Sequence, residues 1–311
     1  MVKSIEELSG NLYSLFDLDR NNDESGLQKH EPLFIPFANE SVSKFNIMII
    51  GSRPSNGRTL LINEILIANS IIRPQTIFRR ENEQTRSLAY FLTEQPKNYI
   101  KKLITGILET NRKDMLNNIL DRMPDEQRFY LNRLSCHLMT CPLFIGLSLP
   151  ADLNDFRESI ESDIQKCKPE FIFIDGIEHL APIERNDFED GGASNIDPFL
   201  RICVEISERH SIPFIISRLL TPRNDRFFDM FRPTFADFNS CTIDSDCDIV
   251  FSVVRTAYYN YFNEPEQIND TTVQFIIHRD RTGTLSGKYK SDIDCEVPRM
   301  IFPEKNILDN T

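Results

Sequence analysis

Short apolar runs alternate along the chain with longer stretches in which apolar positions recur every three or four residues. The runs read as strands buried on both faces, and the spaced stretches read as helices with one face against a sheet. Phe45 to Ile50 is the first clear run, and it enters a turn of Gly, Ser, Arg, Pro, Ser and Asn. The chain leaves that turn through Gly57-Arg58-Thr59 into Leu60, Leu61, Ile65, Leu66 and Ile67, a helical spacing. Further strands are predicted at Ser87 to Thr93, Pro142 to Leu147, Phe171 to Asp175, Pro213 to Ser217, Asp248 to Arg255, Val273 to Arg279 and Ser286 to Tyr289, the last two joined by a turn around Thr282-Gly283. Helical patterns fall at Asn98 to Leu108, Lys113 to Leu120, Asp125 to Met139, Ala151 to Lys168 and Ile196 to Arg209.

Ahead of these elements, Ile5, Leu8, Leu12, Leu15 and Phe16 give residues 3–18 the pattern of a short amphipathic helix, and the polar stretch 19–31 reads as a linker. Such a helix folds back on the core or docks on a neighbouring subunit. The resulting division is 1–44 for helix and linker, 45–303 for the main domain and 304–311 for a tail. Alternating strands and helices predict an α/β fold, a mostly parallel central sheet flanked by helices with a C-terminal antiparallel hairpin.

Composition narrows the setting. With 311 residues, 40% hydrophobic and 23 Phe, the chain can build a large core. No apolar run is long enough to span a bilayer, and MVKSIEELSG lacks the apolar region of a signal peptide, so a cytoplasmic location without membrane contact is expected. The seven Cys and five His have spacings that match neither zinc sites nor a redox C-x-x-C, which predicts reduced thiols and no structural metal. A net charge of −12 excludes a generally basic, nucleic-acid-coating surface, so any such contact must be local.

The candidate chemistry starts at the turn after Ile50. A strand, a tight loop and a helix N-terminus in that order make an anion site, because the first N–H groups of a helix lack partners and its dipole favours phosphate. Ser52, Arg53, Pro54, Ser55, Asn56, Gly57, Arg58 and Thr59 cover the pattern G-x-x-x-x-G-K-[ST], with Ser52 for the first Gly and Arg58 for the Lys. Thr59 stands where a magnesium ligand belongs. The same residues also suit an ordinary strand-to-helix turn. Asp175, closing an apolar strand, is positioned for a magnesium water shell or for capping a turn. Between Arg218 and Thr234, Arg223 and Arg226 are interleaved with Phe227, Phe228 and Phe231, a mixture that suits either a nucleic-acid channel or a solvated loop with its Phe residues in the core.

Taken in order, these pieces resemble the carboxy-terminal motor domain of DnaB-type replicative helicases, a RecA-like P-loop NTPase fold. GSRPSNGRT is similar to that family's A-R-P-S-M-G-K-T, and FLTEQP to its F-S-L-E-M. FIFIDGIEHL is similar to I-V-I-D-Y-L-Q-L, PFIISRL to P-V-V-A-L-S-Q-L, DSDCDIVFSVVR to Q-D-A-D-L-I-M-F-I-Y-R, and FIIHRDRTG to I-I-G-K-Q-R-N-G. The resemblance implies an ATP- and magnesium-dependent DNA helicase or translocase subunit, an ATP hydrolase, working as a homo-oligomeric ring with single-stranded DNA and replication proteins as partners. Thr59 and Asp175 would serve magnesium, Glu94 would activate the attacking water, and Arg281 and Arg279 would reach a neighbour's nucleotide. The amino-terminal helix would match the family's linker helix. Against full activity stand Arg58 for Lys, Arg218 for Gln, and ADFNSC where the family has D-L-R-E-S-G. These departures leave a second function open, a degenerate RecA-like nucleotide-binding or scaffold protein without helicase activity. A metabolic α/β kinase is a third, which would leave Arg281 without a role.

Overall fold

The computed structural model describes residues 2–4, 33–36, 38, 40–42, 44–71, 86–92, 143–146, 152–180, 196–220, 232–238, 240–256, 271–285, 288–294 and 299–301. In chain order its strands are β1 (Val2–Ser4), β2 (Leu33–Ile35), β3 (Glu40–Val42), β4 (Ile47–Ser52), β5 (Ser87–Phe91), β6 (Leu143–Gly146), β7 (Phe171–Asp175), β8 (Phe214–Leu219), β9 (Ile249–Arg255), β10 (Thr272–Asp280), β11 (Lys288–Asp294) and β12 (Arg299–Ile301). The α-helices are α1 (Arg58–Leu66), α2 (Leu153–Cys167), α3 (Asp197–His210) and α4 (Cys241–Asp246). The predicted helices at 98–108, 113–120 and 125–139 lie outside the described residues.

One sheet has the order β1-β6-β5-β7-β8-β4-β9-β10-β11-β12. The strands from β6 to β9 pair in parallel. Antiparallel β1 borders one side, and β10, β11 and β12 follow antiparallel on the other. Side chains alternate between two cores, as a sheet covered on both faces requires. Met48, Ile50, Phe171, Phe173 and Ile215 join α1 in one, while Ile47, Ile49, Ile172, Ile174, Phe214 and Ile216 join α2 and α3 in the other. Helix α2 is opened by Asp152, whose carboxylate accepts from the Asn154 and Asp155 N–H groups at 2.8 and 2.9 Å. Among the described residues, no helix is long and apolar enough to cross a membrane.

Several features depart from the sequence reading: the last expected strand, Ser286 to Tyr289, is instead β11 running on to Asp294, and β12 and α4 were not expected. Residues 2–4 form a strand rather than opening the amphipathic helix, because β6 offers an open edge on which Val2–Ser4 completes antiparallel pairs; residues 5–18 and the linker at 19–31 lie outside the described residues. Leu33, Ile35 and Val42, within the segment divided off as 1–44, form a small hairpin and are wholly buried in the α1 core. Strand β4 continues through Gly51 and Ser52, because both remain in register with β8 and β9 after the apolar run has ended.

Candidate functional site

The site lies at the carboxyl ends of β4, β7 and β8, where an open α/β sheet leaves a crevice. Beyond β4 the backbone turns through Gly57, at φ 91°, into α1. A side chain there would be strained and would place a Cβ 3.1 Å from Met300 Cε. Among the described residues no side-chain hydrogen bond caps this helix start, and no acid stands in its own first turn, which leaves its first N–H groups and dipole end for an anion.

Two side chains before Gly57, those of Arg53 and Asn56, are used within the protein. Arg53 is 1% exposed; its Nη1 donates to the Leu220 carbonyl at 3.1 Å and its Nη2 to Asp237 Oδ1 at 3.4 Å. Asn56 donates to the carbonyls of Arg53 and Pro54 and accepts from Arg255 N at 2.7 Å, tying the loop to the end of β9. Ser52 is buried in β4, whereas Pro54 and Ser55 are exposed.

Gly57, Arg58, Thr59 and Asp175 come together. Thr59 Oγ1 donates to Asp175 Oδ2 at 2.8 Å. Asp175 is wholly buried, and its other oxygen accepts from the Ser217 hydroxyl, which in turn accepts from Gly176 N at 2.9 Å. Arg58 Nη2 donates to Glu178 Oε1 at 2.9 Å, and Arg58 Nε lies 3.7 Å from Asp175 Oδ1. Arg58 Nη1 is buried with no hydrogen-bond partner among the described residues. The second Glu178 oxygen accepts from Leu219 N at 3.1 Å. A hydroxyl, a buried carboxylate and a cation at one helix N-terminus can hold a phosphate together with a divalent metal.

Sequence reasoning missed Ser217 and Glu178. Ser217 gave no signal beyond its position at a strand end. Glu178 gave one: it stands three residues after Asp175, where the motif I-V-I-D-Y-L-Q-L has Gln, in a chain that also exchanges the loop Lys for Arg.

Arg218 turns away from this cluster to donate to the Phe238 carbonyl. Burial lowers its pKa to about 10, against the opposing pull of Glu178 and Asp197, and it stays cationic at neutral pH. Phe238 sits in a one-turn helix, Phe235–Phe238, and its ring meets His278 edge-on at 5.5 Å. His278 lies at a bulge in β10, with Nε2 3.0 Å from Ser252 Oγ.

Arg279 and Arg281 are held away from the Thr59–Asp175 cluster, on the last carbonyls of α4. Arg279 Nη1 donates to Ile243 O and Asp244 O at 2.7 and 2.8 Å, and Arg281 Nη2 to Ser245 O at 2.9 Å. Glu94, Arg223 and Arg226 lie outside the described residues.

A family model for the DnaB-like helicase C terminal domain matches residues 39–292. The replicative DNA helicase DnaB of Rickettsia felis is 25% identical over 227 residues, 71% of this chain and 43% of that protein. A probable replicative DNA helicase of Trieres chinensis is 22% identical over 253 residues, 79% of this chain and 51% of that protein. The chain thus spans about half the length of the curated relatives it matches. Among solved structures, an ATPase domain superposes with a TM-score of 0.60 at 17% identity, covering 83% of this chain and 85% of that one. A DnaB-like replicative helicase, solved in a study of its interactions with primase, superposes with a TM-score of 0.63 at 19% identity, covering 83% and 57%.

Proposed function

The chain belongs to the family of DnaB-like helicase C-terminal domains, and from that premise we propose that it is a motor subunit that hydrolyses ATP between copies arranged in a ring and moves along single-stranded DNA. The observation that carries this reading is the Thr59–Asp175 contact of 2.8 Å beside a helix N-terminus with no side-chain cap. ATP and magnesium fit the donors present. Backbone N–H groups at the start of α1 and the unpartnered Nη1 of Arg58 suit phosphate oxygens. Thr59 would hold magnesium directly, and Asp175, kept in orientation by Ser217, would hold its water shell. Bound magnesium supplies charge neutralisation at the phosphates.

Residues 52–56 would contribute through backbone, since the side chains of Arg53 and Asn56 face inward. Glu94 would orient and deprotonate the attacking water, and the chain leading to it runs beside the site, with Leu92 N donating to Asp175 O at 3.0 Å. Arg281 and Arg279, oriented by the α4 carbonyls, would act on a neighbouring subunit's nucleotide, a role worth on the order of a thousandfold in rate. Arg223 and Arg226 would meet the DNA backbone locally, as the net charge of −12 demands. Primase and other replication proteins are the partners this role implies.

The alternative, a subunit that binds nucleotide without turnover, draws support from the engagement of Arg58 by Glu178 and Asp175. ATP hydrolysis with and without single-stranded DNA, using Glu94→Gln as the control, separates the two. DNA-stimulated turnover that is lost in the variant is the expected result. Nucleotide binding without turnover would overturn the motor reading and leave the scaffold.

A further inference from the structure

The Arg58 guanidinium has one carboxylate too many within reach. Its Nε lies 3.7 Å from Asp175 Oδ1, and its Nη2 lies 2.9 Å from Glu178 Oε1. Asp175 is already occupied by the hydroxyls of Thr59 and Ser217. An ion pair closing fully between Arg58 and Asp175 would compete with Ser217 for Oδ1 and turn the carboxylate whose Oδ2 Thr59 holds, the side where a divalent cation needs it. A guanidinium is planar and carries five donors in a fixed fork, so an acceptor on one edge sets the direction of the others. Glu178 supplies that acceptor. It is itself fixed on its second oxygen by Leu219 N at 3.1 Å, at the end of β8.

We infer that Glu178 is a positioning residue for Arg58: it holds the guanidinium off Asp175 and aims the unpartnered Nη1 toward the nucleotide's phosphates. Arg58 and Glu178 form a unit that replaces the single Lys of the usual loop. The inference rests on the nucleotide site proposed above and names the device by which an Arg serves there.

The test is affinity for a fluorescent ATP analogue, with magnesium and with chelator, in the full chain and in Glu178→Gln, Arg58→Lys and the double variant. Glu178→Gln keeps the shape but weakens the hold on Arg58, which then collapses toward Asp175. Binding in magnesium falls about tenfold or more, with much less change in chelator. Arg58→Lys alone also weakens binding, because a compact ammonium beside two carboxylates is neutralised by them. The double variant, free of both defects, returns to within a few fold of wild type. Thermal melting accompanies each variant, and the recovery of the double variant keeps the inference open to refutation if one single variant is poorly folded.

Tighter binding in Glu178→Gln irrespective of magnesium would mean that Glu178 acts only as a repelling charge. Equal affinity in wild type and Glu178→Gln, or losses that multiply in the double variant, would equally overturn the inference. If the wild-type protein bound no nucleotide at all, the proposed site itself would fall instead.

Discussion

A methyl group added at Gly51 tests how tightly the start of the phosphate loop is packed. The Cβ of an alanine there would lie 2.5 Å from both Cε1 and Cζ of Phe238 and 2.9 Å from Leu220 Cδ1. These separations are far inside ordinary contact, so something must move. The Phe238 ring is wholly buried, with His278 at 5.5 Å and Phe235 at 6.3 Å, and its backbone carbonyl is held by Arg218. A ring so confined retreats only by pushing its neighbours. Overpacking of this kind costs about 1–3 kcal/mol, and the confinement places Gly51→Ala near the top of that range. For a domain of this size the loss lowers the melting temperature by roughly 4–6 °C. Phe238→Leu alone opens space and is itself destabilising, but in the double variant the shorter side chain accommodates the methyl. The two changes should therefore fall short of additivity by at least about 1 kcal/mol. Urea unfolding of the four proteins, followed by circular dichroism, measures this directly. A cost below about 0.5 kcal/mol for Gly51→Ala, or strict additivity, would refute the packing argument.

Burial lowers the pKa of His278 from its usual 6.5, with Asp237 opposing the shift. The unfolded chain therefore takes up this proton first, and the stability contributed by the neutral ring is lost as pH falls from about 6.5 toward the lowered value. His278→Gln should flatten the difference in melting temperature between pH 7.5 and pH 5; an unchanged difference would remove His278 from the account. Asp152→Ala removes the acceptor of two N–H groups at the start of α2, a loss of about 1 kcal/mol. Helix α2 packs in the core on the other face of the sheet from α1, so the same variant should keep wild-type affinity for nucleotide, and a large change in binding would contradict that separation.

The sequence was most informative where local pattern and chemistry coincide. Phe171 to Asp175 is apolar to its last residue because both faces are covered, and its strand has the predicted bounds. Gly57-Arg58-Thr59 likewise announces a helix start, since a polar turn after an apolar strand leads straight into the helical spacing of Leu61, Ile65 and Leu66. Side-chain direction was not legible. Arg53 in a polar turn looks solvent-exposed, yet it is buried on Leu220 and Asp237, partners 167 and 184 residues away in sequence. Arg58 and Glu178 meet across 120 residues, so only the joint exchange of Lys and Gln in two separate motifs hinted at them. The β2–β3 hairpin was hidden because each of its strands has only three residues, too few for periodicity to register. Strand β1 was hidden by the longer helical spacing that follows it, since an edge's pairing capacity is a property of the distant β6.

Two arginines fasten opposite ends of one segment to the same strand terminus. Arg218 joins the end of β8 to the Phe238 carbonyl, and Arg53 joins the adjoining loop to Leu220 and Asp237. The chain thus leaves the sheet after Leu220 and is anchored again by Asp237 and Phe238. A segment whose exit and re-entry are clamped side by side behaves as an interchangeable cassette. Its closure has been secured by the clamps, and doubling its length adds only about 0.6 kcal/mol in entropy. The placement of Arg53, and with it the loop before Gly57, is thus set by Leu220 and Asp237 themselves. Changes of length or charge between Leu220 and Arg232 should therefore leave the sheet and the Thr59–Asp175 contact in place.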